Sequence, residues 1–403
     1  MTTEVTLDDA APTPGGDPAP SGSPAEQGPW SLSWHGVRTV AVLDLRQRVR
    51  STRWVVALVV WFVVVGAVTA LTWAAVGAAF PGTPPGVDTS GMGVSAQVLR
   101  GPTIFGVVVF FVLFLGLLVS PTLSATSING DRAAGTLATL QVTLLTPGEI
   151  AVGKLVAAWV AALAFLAAGV PFLVVALAAG GTPVVSVVVC LVVLAVLLAV
   201  VCAIGLGFSA LSPRTSGSAV LTFLAVAGLT VLSPIVFALT LPAVTQEEPV
   251  RVWTTSGDYR WDDDEPPTCT WQTVTMSRPH TERTWWLLAV NPFVILADAA
   301  PEVRVEETVY TADPLAAIRT GVREARTGPA AEEDWCGGFA ELTSGSAQSP
   351  VAQSPVAERE PDRSVVWPWG LAANLALGGA GLAIAVRRLA IPQRTLPRGT
   401  RVA

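Results

Sequence analysis

The sequence predicts an all-α polytopic membrane protein: six transmembrane helices, both termini inside, and a large extracytoplasmic segment between the fifth and sixth helices. Three observations carry this. Hydrophobic residues make up 51% of the chain and charged ones 13%, with a mean hydropathy of +0.57, a balance foreign to a soluble multidomain chain. Six apolar stretches reach the roughly 20 residues that cross a hydrocarbon core about 30 Å thick. Basic residues collect on connections that all fall on one side of such a bundle.

Residues 1–30 are rich in Pro, Gly, Ala, Ser and acids and predict a disordered cytoplasmic tail. They lack the basic region and apolar stretch of a signal peptide, so the first span is expected to stay in the mature chain. Residues 31–53 carry Arg46, Arg48, Arg50 and Arg53 and predict a connecting helix at the membrane interface. The spans follow at Trp54 to Phe80, Ile104 to Leu123, Leu155 to Ala179, Val184 to Leu211, Ser218 to Leu241 and Trp367 to Val386. None has an ionisable residue in its core, which argues against an ion- or proton-coupled carrier with a buried charge on its pathway.

The basic groups set the orientation. Arg46 to Arg53 precede the first span, and Arg132 and Lys154 flank the second and third. Arg214 lies between the fourth and fifth, and Arg387, Arg388, Arg394, Arg398 and Arg401 make residues 387–403 a basic tail. All four segments are expected to be cytoplasmic. Lys154, at the start of the third span, reads as a further interfacial anchor.

The outer segment, residues 242–366, is acidic, with Asp262-Asp263-Asp264-Glu265 and Glu332-Glu333-Asp334. These runs read as solvated faces. Within it, Trp285 to Asp298 is apolar but too short to span, and Asn291-Pro292 breaks it. An interfacial or re-entrant helix pair is predicted there, and Ser344 to Arg363 is a low-complexity linker. Of the four cysteines, Cys190 and Cys202 lie in the fourth span as small apolar fillers. Cys269 and Cys336 both lie in the outer segment, where oxidation is permitted, and predict a disulfide.

Catalytic chemistry has little to stand on. The two histidines, His35 and His280, fall on opposite sides of the membrane, and no His/Cys group has metal-ligand spacing. Gly148 to Lys154 matches GxxxxGK, but Leu155 stands where a phosphate loop needs Ser or Thr, and no soluble α/β domain surrounds it. The chain is expected to bind no cofactor, to use no metal, and to have no nucleic-acid partner.

Residues 124–153 form the longest inner loop. Its middle, Asp131 to Leu145, predicts a short helix capped by Asp131 or Asn129, with Leu137, Leu140, Leu144 and Leu145 as a partial apolar stripe and Pro147-Gly148 as its stop. Periodicity leaves two readings: a connector on the membrane surface, or a docking helix that receives force from a partner.

The motifs of this loop resemble a known family. Asp131-Arg132-x-x-Gly135-Thr136-Leu137, then Thr146-Pro147, Glu149-Ile150 and Gly153-Lys154, is similar to the loop of the permease subunit of type-2 ABC transporters. That loop typically reads Glu-Arg-Glu-x-Gly-Thr-Leu-Glu, Thr-Pro-Leu-Ser, Glu-Ile and Gly-Lys. The chain departs from it at Asp131, Ala133 and Ala138, and lacks the Leu-Ser after Thr-Pro. Leu45 to Arg50 resembles the family's basic connecting helix, and Asn291-Pro292-Phe293 its Asn-Pro before the last span. The resemblance covers most of residues 35–390. It implies a permease that pairs with a second permease, as homodimer or heterodimer, and exports its cargo. It implies a separate ATPase subunit holding ATP and magnesium. It also implies that Asp131, Arg132, Gly135, Thr136, Leu137, Thr146, Pro147 and Glu149 form the coupling loop. The rival expectation is a stand-alone channel or secondary carrier with no ATPase partner.

Overall fold

The computed structural model describes residues 28–79, 96–136, 145–255, 269–301, 314–336, 355–356 and 364–390. Within them are six helices long and apolar enough to cross a membrane: Thr52–Ala78, Arg100–Ala133, Pro147–Ala178, Val184–Leu211, Thr215–Val244 and Trp367–Leu389.

The chain opens with α1 (Trp34–Val49), whose first turn is capped by the Ser33 side chain accepting from Gly36 N. Span one is α2 (Thr52–Ala79), and span two is α3 (Ala96–Ser124), continued after a turn by the short α4 (Asn129–Ala133). Spans three and four are α5 (Pro147–Ala178) and α6 (Val184–Leu211). Span five is broken into α7 (Thr215–Ala227), a π turn (Gly228–Leu232) and α8 (Ser233–Val244). Span six, α12 (Trp367–Leu389), closes the bundle.

The core lies between α2, α3, α5 and α6. Trp61, Val65, Phe105, Val112, Phe165 and Leu194 are buried together, with Trp61 edge-on to Phe165 at 5.3 Å between ring centroids. Cys190 and Cys202 are buried in the same core, small fillers as expected. Span six packs on α6 through glycines: a Cβ on Gly207 would sit 2.7 Å from Gly381 Cα. Small residues permit such close helix approach where lipid supplies no hydrophobic drive to associate.

The segment between spans five and six is mixed rather than helical. β1 (Thr245–Thr255) continues directly from α8 and pairs antiparallel with β2 (Cys269–Pro279), from Thr245 opposite Pro279 to Thr255 opposite Cys269. β3 (Glu332–Asp334) adds to β1 in parallel, Arg251 opposite Glu332, giving the order β2-β1-β3. The all-α expectation therefore holds for the membrane part and not for this sheet. One end of the sheet brings Cys269 and Cys336 together, with Cα atoms 6.4 Å apart, inside the range a disulfide bridges.

Two short helices, α9 (Trp286–Ala289) and α10 (Pro292–Ala299), follow the hairpin. The break between them falls at Asn291-Pro292: the Asn291 side chain caps α10 by accepting from Phe293 N, and Pro292 occupies the first helical position. The Asn291 amide also donates to Thr230 O at 2.9 Å, a carbonyl of the π turn in span five. Ile295, Leu296 and Ala297 are fully buried, and Phe293 stacks on Phe110 of α3. The amphipathic α11 (Pro314–Thr327) covers α10, with Arg319 donating to Ala297 O and Arg323 to Asp298. The other Asp298 oxygen accepts Val366 N and Trp367 N, fixing the start of α12.

Candidate functional site

The inner-loop motifs gather at the end of the bundle opposite the sheet, together with α1 and most of the membrane-flanking basic side chains. Thr146 and Glu149 form a capping box at the start of α5: the Thr146 hydroxyl accepts Glu149 N, and Thr146 N donates to Glu149 Oε2 at 2.9 Å. Pro147 takes the first helical position. The second carboxylate oxygen, Oε1, accepts Ser33 N at 2.8 Å. Thr146 Oγ1 donates to Ser31 O at 2.6 Å, and Gly148 N donates to Pro29 O at 3.0 Å. The starts of α1 and α5 are thus laced together. Close approach is built in, because a Cβ on Gly153 would lie 2.6 Å from Val40 Cβ.

This geometry corrects the reading of Glu149 as a coupling contact. The residue is 4% exposed and each of its carboxylate oxygens accepts one internal backbone N–H, from Ser33 and from Thr146, so it holds a surface and does not present one. Lys154 is corrected as well. It is 2% exposed and ion-paired to Asp131 Oδ2, so it does not reach out to lipid headgroups as an anchor. Its helix runs unbroken through Gly148 to Lys154, so the stretch matching GxxxxGK is not a loop.

Among the described residues, neither Asn129 nor Asp131 stands at a helix cap. α4 ends at Ala133, Ile128 stands at its cap position with no side-chain bond, and Gly135 closes the turn at φ 73°. Leu137, Leu140 and Leu144 lie outside the described residues, while Leu145 packs beside Ile128 and Ile150. The Asn129 side chain is instead buried against the α6–α7 turn. Its amide donates to Ser218 Oγ at 2.7 Å and Arg214 O at 3.2 Å, and its carbonyl accepts Ser209 Oγ at 3.2 Å. Ser209 Oγ in turn accepts Ile128 N, and Ser218 Oγ donates to Ala125 O.

Arg48 is half-buried, paired with Asp44 at 2.9 Å, and donates to Leu123 O at 2.7 Å, satisfying a carbonyl in the last turn of α3. Arg46, Arg50 and Arg53 are exposed along the same edge. Among the described residues of the loop, Arg132 is half-buried with no ion pair, and Ala133, Ala134, Gly135 and Thr136 after it form a short exposed strip. The strip is held from behind on two sides, by Lys154 on α5 and by the Ser209–Ser218 network on α6 and α7.

The sequence model of the family described as ABC-2 family transporter protein matches residues 38–330. The chain belongs to this family. The match runs from α1 to the loop before β3 and takes in the whole strip and its supports. No curated protein matches the chain. As an ABC-2 family member with six apolar helices, it is a multi-pass plasma-membrane protein and a permease subunit of an ABC transporter, whose ATPase is a partner.

Ser31, Ser33, Ser209 and Ser218 complete this end of the permease and carry no role in the sequence reading. Ser33 followed by a helix is an N-cap signal, and Thr146-x-x-Glu149 is the capping-box spacing. The partners of Asn129 lie 80 to 89 residues away and leave no local signal.

Proposed function

We propose that this permease forms half of the pathway of an ATP-driven exporter, pairs with a second permease, and receives the motion of its ATPase through Arg132 to Thr136. The basic end then faces the cytoplasm, in keeping with the bias of Arg and Lys toward inner segments. ATP and magnesium belong to the partner subunit. The uncharged span cores suit a hydrophobic or amphiphilic cargo.

The observation that carries the reading is the anchorage of the strip. α4 is one turn long, yet its residues are bonded to α5, α6 and α7 at once. A push on an isolated surface loop would dissipate; a push on this turn displaces three spans together. Packed elements with discrete arrangements are what transmit such displacement.

A bifunctional thiol cross-linker tests the contact. With cysteine in place of Thr136, the permease is expected to join the ATPase subunit in membranes, and cysteine in place of Thr281 at the sheet end is not. Cross-linking from neither position, with no ATPase co-purifying, supports the stand-alone channel or carrier instead.

A further inference from the structure

At the basic end, α6, span five and α12 do not close on one another. A cleft of about 370 Å³ lies between them, within the roughly 300–1,000 Å³ of ligand sites. Phe208 and Leu211 of α6, Leu229 of the π turn, and Leu377, Ala380 and Ile384 of α12 form its walls, and every lining residue is apolar. Its origin is local. Gly207 and Gly381 bring α6 and α12 together but offer no side chain to fill the seam beside them, and the π turn alters the packing of span five at the same level. Leu211 and Leu377 stay 41% and 47% exposed.

The inner rim of this cleft is cationic. Ile384 is followed at three and four residues by Arg387 and Arg388, which share its helix face. Leu211 is followed three residues later by Arg214, at the start of α7. The ends of α6 and α12 are level, since Leu206, Ala210, Ala385, Val386 and Leu389 share one cluster. All three arginines are exposed, and none has an ion pair among the described residues.

We infer that the cleft is a binding site for an anionic phospholipid of the leaflet at the basic end. One acyl chain occupies the apolar cleft, and the headgroup phosphate is held by Arg214, Arg387 and Arg388. The walls offer a polar ligand nothing, and the rim offers three guanidinium groups suited to bidentate phosphate contacts. Basic pockets between helices at the cytoplasmic face take anionic headgroups for this reason. A zwitterionic lipid brings its own cation to the arginines and gains less. The inference depends neither on the direction of transport nor on the coupling strip.

The full-length permease, purified with its ATPase in mild detergent and loaded from micelles of phosphatidylglycerol or phosphatidylcholine with identical chains, tests it by native mass spectrometry of retained lipid. Phosphatidylglycerol is expected to be retained over phosphatidylcholine. The triple change R214Q, R387Q, R388Q is expected to cut that retention by at least about tenfold. Ala380→Phe, which fills the cleft and keeps the arginines, is expected to cut it too. The triple change R46Q, R50Q, R53Q removes the same charge from the same end and is expected to leave retention unchanged. Equal loss in both triple variants means diffuse charge attraction and overturns the site. So does equal retention of both lipids, retention surviving Ala380→Phe, displacement by inorganic phosphate alone, or a disulfide between two permease copies at Ala380→Cys, which would mark the cleft as a dimer seam.

Discussion

Ser33 N donates to Glu149 Oε1 at 2.8 Å, across 116 positions of sequence. The same carboxylate closes the capping box of α5 through Thr146 N. One buried side chain therefore fixes the starting points of two helices, and the orientation of α1 on α5 depends on it.

Glu149→Ala is expected to destabilise the permease by about 1–3 kcal/mol, since Ser33 N and Thr146 N lose their acceptor inside the protein. Glu149→Gln keeps one acceptor oxygen and is expected to fall between it and the parent. Melting temperatures of the purified variants check the order. A Glu149→Ala variant as stable as the parent would remove the staple from the account.

Asn129 makes a sharper discrimination possible. Its amide donates to Ser218 Oγ and Arg214 O, and an aspartate has the same shape but no donors. Asn129→Asp is expected to cost about as much as Asn129→Ala, on the order of 1–3 kcal/mol. If aspartate is tolerated as well as asparagine in thermal unfolding, the bond network does not hold the turn.

Lys154 is enclosed, while the Asp131 side chain is 30% exposed. Asp131→Asn alone leaves a buried, unpaired ammonium, a loss of roughly 3–5 kcal/mol. Combining it with Lys154→Met removes the stranded charge and is expected to recover most of that stability. A double-mutant cycle reads this directly, and purely additive costs would show that the two residues do not act as a pair.

Cys269 and Cys336 are expected to resist alkylation in non-reduced protein, even after denaturation, whereas Cys190 and Cys202 label once the core opens. Closing a loop of 67 residues corresponds to about 4 kcal/mol, so reduction is expected to loosen that end of the sheet. Intact-mass detection of four labels on denatured, non-reduced protein would show both outer thiols unpaired.

The spans were legible in the sequence because apolar length alone decides them, and the break at Asn291-Pro292 because proline removes a donor wherever it stands. The loop motifs were legible as a set, but not the division of labour among their residues. Glu149 and Lys154 turn inward because their partners, Ser33 and Asp131, sit on other elements, and charge by itself suggested the surface. The sheet was missed because acidic runs dominate that segment, although Thr273 to Ser277 alternates polar and apolar residues in the manner of a strand. The π turn carries no local mark in Gly228–Leu232, and its purpose emerges only beside Asn291.

The measurement that bears most directly on the coupling strip is ATPase stimulation by the permease carrying Arg132→Glu. The complex is expected to assemble with unchanged stoichiometry and thermal stability, while transport and permease-dependent stimulation of ATP hydrolysis are both lost. Normal stimulation and transport by that variant would show that Arg132 and its strip do not receive the ATPase's motion.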